Sequence, residues 1–394
     1  MIYYLITSLP MGVCLFWTIV LCMDWCRQGS MAKMRMMVFG FAATLLYMCH
    51  FVYFNHECGL LHITDTIYCV TNLAVYPLFY LYLKETTDAK WSRWWYMMLM
   101  PALIAGLTVG VLYMVMTEEE LTFFTHRQLY DTHYIGYSPL LWVQFMVHKT
   151  VKVVFAALVV TVLLCGHRRL KMFDKMVENC YADTEERNMR MMRGTVAAML
   201  VMALVSFLVN IIGRSYFSHS VETLGVASIV FSSLLFILLY AGHQQNFTIR
   251  ELVAENEETT LTGSEPVETE AETETERVVM QLSTEIDRVM ERDKLYLIHD
   301  LRINDLARRL GTNRDYIYQA ITNIMGLSFA EYVNKKRVDY AIKLMKEKPG
   351  ISTNEVCALS GFASQASYFR NFKLYTGTSP KDYLKKITTF AVAK

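Results

Sequence analysis

Seven apolar stretches fill the first 245 residues, at about 3–23, 36–55, 66–83, 94–116, 140–165, 195–216 and 223–243. Each approaches the roughly 20 residues that a helix needs to cross the hydrocarbon core of a bilayer. A chain patterned in this way folds as a bundle of membrane-spanning helices. Composition agrees: 54% of residues are hydrophobic, 19% are charged and the mean hydropathy is +0.24. Soluble domains run nearer ~45–50% apolar and ~25% charged. An ordinary soluble enzyme and a largely disordered chain are both excluded. The first stretch does not read as a cleaved signal peptide, since it has no basic leader, is too long and lacks a small-x-small cleavage site.

Basic residues set the topology. Arg27, Lys33 and Arg35 follow the first stretch, and Lys84, Lys90 and Arg93 follow the third. Arg168, Arg169, Lys171, Lys175, Arg187, Arg190 and Arg193 follow the fifth. The opposite loops hold Arg127 and Arg214. Cytoplasmic loops carry the excess of Lys and Arg, so the N-terminus is expected outside and the C-terminus inside. Of the nine cysteines, most fall in apolar spans or on the inner side and read as reduced thiols. A Cys58–Cys69 disulfide near the outer face stays open as an alternative.

The character of the chain then changes twice. Residues 246–277 are rich in Glu, Thr, Gly and Pro, with Arg277 opposing ten glutamates between 251 and 276. Such a stretch buries too little apolar surface to offset its ordering entropy, and reads as a flexible acidic linker. A connecting amphipathic helix is expected over 278–294. From 301 to the end, sixteen basic residues face seven acidic ones, a net charge of +9. The net charge of +1 for the whole chain is therefore a cancellation that hides a polyanion-binding module.

Helix punctuation in this module is dense. Ile303, Leu306, Ala307 and Leu310 form a face at helical spacing that ends at Gly311. Asn313 opens a second helix with an inner face of Ile317, Ala320, Ile321 and Ile324, closed by Gly326 as a left-handed cap. Ser328 and Glu331 form a capping box for a long helix that Pro349-Gly350 stops, and Ser352 and Glu355 form another. Gly361-Phe362 breaks that helix; a further one spans about 365–375 before Gly377, and Ser379-Pro380 opens the last. The pattern predicts two helix-turn-helix units joined by one rigid helix, each offering a second helix to a DNA major groove.

These residues resemble the DNA-binding domain of AraC/XylS-type bacterial transcription regulators. The likeness covers about 295–387, a quarter of the chain. It rests on Leu306-Ala307, Thr312 to Ile317 and Gly326 to Phe329. Tyr332-Val333-Asn334 and Arg337 follow, and then the more diagnostic Gly361-Phe362, Ser364, Arg370, Phe372-Lys373, Gly377, Ser379-Pro380 and Tyr383. Tyr368 stands where the family usually has Phe, Gln319 where Arg is frequent and Ile321 where Phe is frequent. The resemblance implies base-edge contacts from Arg314, Asp315, Tyr318 and Gln319 in the first unit, and from Ser364, Gln365, Ala366 and Arg370 in the second. Arg370 suits a guanine edge, Gln365 and Gln319 an adenine edge. Lys373, Lys335, Lys336 and Lys381 suit phosphates.

The fifth stretch carries a polar stripe. Gln144, His148 and Lys152 recur every four residues, with Lys149 beside them. Ionisable residues inside a membrane usually face a bundle interior or a watery cavity. With Asn72, Asn210 and Arg214 they outline an outward-facing basic pocket for a small anionic ligand; the alternatives are snorkelling or internal pairing, for instance with Asp65. His50, His56, His62, His126, His133 and His219 lie toward the outer side with Glu57 and Cys58. A metal or pH sensor is one alternative for them; their spacings match no metal-ligand motif, and no metal or other cofactor is expected. HExxH, GxSxG, P-loop and Rossmann signatures are all missing from the sequence, so catalysis has no positive support.

The expected protein is all-α. A seven-helix transmembrane sensor (1–245) in the bacterial inner membrane is followed by the linker (246–277), the connecting helix (278–294) and a cytoplasmic AraC-type domain (295–394). Its expected partners are double-stranded DNA, membrane lipid, a second copy of the chain through the avidity of paired sites, and RNA polymerase. The rivals are a transporter or channel with a regulatory DNA-binding tail, a membrane enzyme, and release of the tail by proteolysis at the linker. The linker is also open to an autoinhibitory reading, in which it docks on the basic module and competes with DNA.

Overall fold

The computed structural model describes residues 2–56, 58–87, 93–183, 189–212, 216–217, 221–245, 272–348 and 350–392. These residues are helices and short connections; the single extended pairing among them is an isolated bridge between Tyr181 and Arg302. Contacts divide the chain into two units. One comprises Met1–Leu170 and Arg190–Arg250, the other Lys171–Met189 and Glu251–Lys394. The second unit thus includes a segment that precedes α7 in sequence, which the contiguous domains read from the sequence did not contain.

The first unit is built from α1 (Ile2–Gln28), α2 (Met31–Phe54), α3 (Leu61–Thr87), α4 (Met100–Val115), the short α5 (Glu118–His126), α6 (Pro139–Cys180, shared with the second unit), α7 (Met189–Ile212) and α8 (Val221–Gln244). Among the described residues, six helical segments are long and apolar enough to cross a membrane: Ile2–Gln28, Met31–Phe54, Leu61–Thr87, Trp94–Val115, Pro139–Cys180 and Val221–Gln244. The remaining expected stretch, 195–216, falls in α7, whose apolar described part is only Gly194–Val209. Helix α7 itself runs for 24 residues, and the side chains of 189–193 and 210–211 lie outside those described.

Helix α3 occupies the centre. Within its apolar window 72% of residues are buried, against 28–44% in the other five. Leu73, Phe79 and Tyr82 of α3 pack with Leu21, Met36, Phe39, Phe155, Met199 and Leu239. Small residues allow close approach: a Cβ on Gly40 would stand 2.6 Å from the Thr18 hydroxyl, and one on Gly106 would stand 2.1 Å from Val70. The outward faces are apolar as well, with Phe16, Leu103, Leu107, Leu204 and Ile237 exposed. Two of the charges after the first stretch are paired. Lys33 lies 3.5 Å from Asp24, which also meets His243, and Arg35 lies 3.8 Å from Glu85 and meets Tyr96.

The second unit contains α9 (Glu272–Asp293), α10 (Ile303–Leu310), α11 (Arg314–Gln319), α12 (Phe329–Glu347), α13 (Thr353–Leu359), α14 (Gln365–Thr376) and α15 (Pro380–Val392). Helix α9 starts six residues earlier than its expected onset at 278, and it is no detached connector. Its buried Val279, Ile286, Val289 and Met290 form an apolar stripe. Its acids hold the module: Asp287 accepts from the Tyr332 hydroxyl (2.7 Å) and meets Lys336 (3.0 Å), and Asp293 pairs with Arg309 (2.8 Å). The rest of the acidic linker, 246–271, lies outside the described residues.

The expected caps form. Asn313 accepts from the Asp315 amide, and the Ser328–Glu331 and Ser352–Glu355 boxes are complete. Gly311, Gly326 and Gly377 take positive φ at helix ends. One face was misread. Helix α11 passes into a π-helical turn, Ala320–Ile324, in which the Met325 amide donates to the Ala320 carbonyl. The wider turn shifts the register, so Ile317, Ala320 and Ile321 are buried while Ile324 is 49% exposed.

The core around α14 collects Phe362, Tyr368, Phe372, Val356 and Cys357 with Met345 of α12. The Tyr368 ring is fully buried, and its hydroxyl has no hydrogen-bond partner among the described residues. An unsatisfied buried hydroxyl costs about 1–3 kcal/mol. Tyr368→Phe is therefore expected to stabilise the second unit by about 1 kcal/mol, read as a higher midpoint in denaturant titration of the full chain.

Candidate nucleic-acid interface and the cavity of the first unit

Helix α12 fixes the two short helix pairs of the second unit, and Arg337 anchors it. The guanidinium is fully buried and donates to the carbonyls of Tyr296 (2.7 Å), Ile298 (2.7 Å) and His299 (3.1 Å). Burial pushes it down to about 10, yet it stays charged at neutral pH. On the other side of this joint, Gly361 has φ +80, and a Cβ there would fall 2.6 Å from the Tyr296 carbonyl. Only glycine fits.

Helix α14 presents its open face through Gln365, Ala366, Phe369, Arg370 and Lys373, all exposed. The Ser364 hydroxyl is committed to the cap, accepting from the Ser367 amide at 3.1 Å. The Gln365 amide nitrogen donates to Asn354 of α13 at 3.1 Å, which holds that side chain at the helix start. Phe369 was not foreseen. It is 37% exposed between Ala366 and Arg370, where a ring can meet a thymine methyl. Its position one residue before Arg370 was the available signal.

In the first pair, Arg314 lies 3.3 Å from Asp315, which is exposed, and Tyr318 and Gln319 are half-buried. Lys335, Lys373 and Lys381 are exposed. Lys336 differs: its ammonium sits between Asp287 and Glu291 of α9, at 3.0 and 2.9 Å. Its positive charge is answered within the unit, so it is a poorer phosphate ligand than the sequence suggested.

A family model described as a helix-turn-helix domain matches residues 306–386. Those residues form an AraC-type helix-turn-helix domain. Over 87 residues this chain is 33% identical to the Msm operon regulatory protein of Streptococcus mutans, covering 22% of this chain and 31% of that protein. Over 75 residues it is 33% identical to the uncharacterised transcriptional regulatory protein YesN of Bacillus subtilis, covering 19% and 20%. An uncharacterised HTH-type transcriptional regulator of Staphylococcus aureus is 26% identical over 98 residues, covering 25% and 13%. The chain spans less than a third of the length of these relatives. No solved structure matches.

The AraC-type domain also touches a segment that lies between the fifth and sixth apolar stretches. Residues Tyr181, Ala182 and Asp183 follow α6 and are buried in the second unit. The Ala182 amide donates to the Leu301 carbonyl (3.0 Å), and Asn334 of α12 donates to the Ala182 carbonyl (3.2 Å). The Arg302 guanidinium lies 5.8 Å from the Tyr181 ring, and Asp183 supports the charge of Arg337.

In the first unit, one cavity is lined by Asn72, His148, Lys149 and Lys152 together with Cys69, Gln128 and Asp131. It brings together four of the seven expected pocket residues. Gln144 is fully buried one turn before His148. The Asn210 side chain and Arg214 lie outside the described residues, as does the side chain of Cys58 and with it any Cys58–Cys69 bond. The pocket is less basic than expected, because His148 Nε2 lies 2.6 Å from Asp65. Lys149 donates to the Thr132 carbonyl at 3.0 Å and lies over the Phe145 ring.

Arg370→Ala is expected to abolish site-specific DNA binding with the fold intact, seen by competition between specific and random duplexes. Lys373→Ala should weaken all sequences alike and lower the salt slope of log K by about 1.

Proposed function

We propose that this chain is a membrane-embedded one-component transcription regulator. The observation that carries the reading is the open face of α14 in an AraC-type domain, on a chain that also has six helices of membrane-spanning length. Both helix pairs, α10–α11 and α13–α14, act as helix-turn-helix units. Arg314, Asp315, Tyr318 and Gln319 read one major groove, and Gln365, Ala366 and Arg370 read the next, about 10 bp away. Helix α7 supplies the seventh crossing, the N-terminus lies outside, and the DNA-binding domain lies in the cytoplasm. Two copies occupy paired sites and engage RNA polymerase.

The first unit acts as the sensor. Lys149 and Lys152, with Asn72, Gln144 and His148, form the place where a small anion enters from the outside, and Asn210 and Arg214 complete it. Transmission runs along α6 to Tyr181–Asp183, which holds α12 through Asn334. Because α12 sets the spacing of the two recognition helices, a shift of this strap alters DNA affinity without touching the recognition face.

Genome-wide mapping of bound DNA, comparing the full chain with residues 272–394 alone, tests the reading. The same promoters should appear in both, with signal-dependent occupancy only in the full chain; no enrichment over random sites in either would reject it. The double variant Lys149→Ala, Lys152→Ala should insert normally yet leave target transcription unresponsive. Unaltered regulation in that variant would remove the anion pocket.

A further inference from the structure

The cavity wall of the first unit contains a cluster of which the anion reading uses only His148. Asp65 and Cys69 lie one turn apart on α3, and His148 of α6 faces them. One donor atom from each of the three, a carboxylate oxygen, a thiol sulfur and an imidazole nitrogen, all lie within 4.8 Å of one another. Cys69 is fully buried and Asp65 nearly so. We propose that Asp65, Cys69 and His148 bind a divalent metal ion of the zinc class.

The geometry of the imidazole supports this. His148 Nδ1 lies 2.8 Å from the Gln144 backbone carbonyl, which can only accept, so Nδ1 carries the proton. That leaves Nε2 as the nitrogen turned to the cluster, aimed at Asp65 Oδ2 from 2.6 Å. In the metal-free chain a proton closes that gap, and a metal ion can take the proton's place between the same two atoms. A second-shell carbonyl that fixes the tautomer and turns the other nitrogen inward is the usual support of a metal-ligating histidine. The Tyr113 hydroxyl donates to the same Asp65 oxygen at 2.9 Å and orients the carboxylate in the same way.

The donor set selects the metal. One thiolate, one imidazole and one carboxylate suit a borderline ion such as Zn²⁺, whereas Mg²⁺ and Ca²⁺ take oxygen ligands. Bond lengths of about 2.0–2.3 Å require donor atoms a little over 3 Å apart. The His148–Asp65 contact opens slightly and Cys69 closes in, with loss of the thiol proton. Three protein ligands leave a fourth position. Cys69 and His148 both line the cavity with Asn72, Gln128 and Lys149, so that position faces a space open to water or a small anion.

The full chain in detergent, stripped with chelator, is titrated with Co²⁺ as a spectroscopic stand-in for Zn²⁺. The proposal expects one tight Co²⁺ per chain, tetrahedral d–d bands and a thiolate-to-metal charge-transfer band. Cys69→Ser should lose the charge-transfer band, and His148→Gln should weaken Co²⁺ binding at least tenfold, with both variants monodisperse. Absence of stoichiometric Co²⁺ and Zn²⁺ uptake by the unaltered chain, or an unchanged charge-transfer band in Cys69→Ser, overturns it. Promoter occupancy is read separately and bears only on the regulator reading.

Discussion

Inside the second unit a guanidinium has been taken out of water and surrounded by main-chain oxygen. Arg337 meets three carbonyls that belong to a span of four residues, Tyr296 to His299. A buried cation of this kind is tolerable only when its donors are all used. Here they also determine geometry, because one planar fork fixes the long helix α12 against the segment that leads into α10. Gly361 permits the same segment to press against the start of the α13–α14 turn. Both short helix pairs are therefore referred to a single joint.

Much of this module was legible in the sequence because its signals are local. A Ser followed three residues later by Glu caps a helix whatever the rest of the fold does, and Gly311, Gly326 and Gly377 end helices by backbone conformation alone. The errors arose where the cause was not local. Ile324 sits at helical spacing from Ile317 and Ile321, but one π-type hydrogen bond turns it outward. Lys336 reads as a phosphate ligand until the acids of α9, some forty-five residues earlier, come up beside it. The onset of α9 was placed late because its first turn is nearly all glutamate and threonine, which looks like linker.

In the first unit, hydrophobic length announces which segments are helices but says little of which is central. Helix α3 is less apolar than its neighbours because it carries Asp65, Thr71, Asn72 and Glu85, yet it is the most enclosed. Asp65 faces His148, Glu85 faces Arg35, and Thr71 bonds back to the Ile67 carbonyl of its own helix. The pairing of His148 with Asp65 spans 83 residues of sequence, and helical spacing on either helix alone could not have revealed it. The stripe on α6 was seen, but half of its meaning lay on α3.

The second unit is not strung on a single thread. Its residues are interrupted by those of the first, so the chain passes between the two at 170–171, 189–190 and 250–251. Tyr181–Asp183 join the second unit from 152 residues before Asn334. Cutting the chain within 171–189 would therefore take from the Leu301 carbonyl and the Asn334 amide the partners that Ala182 gives them.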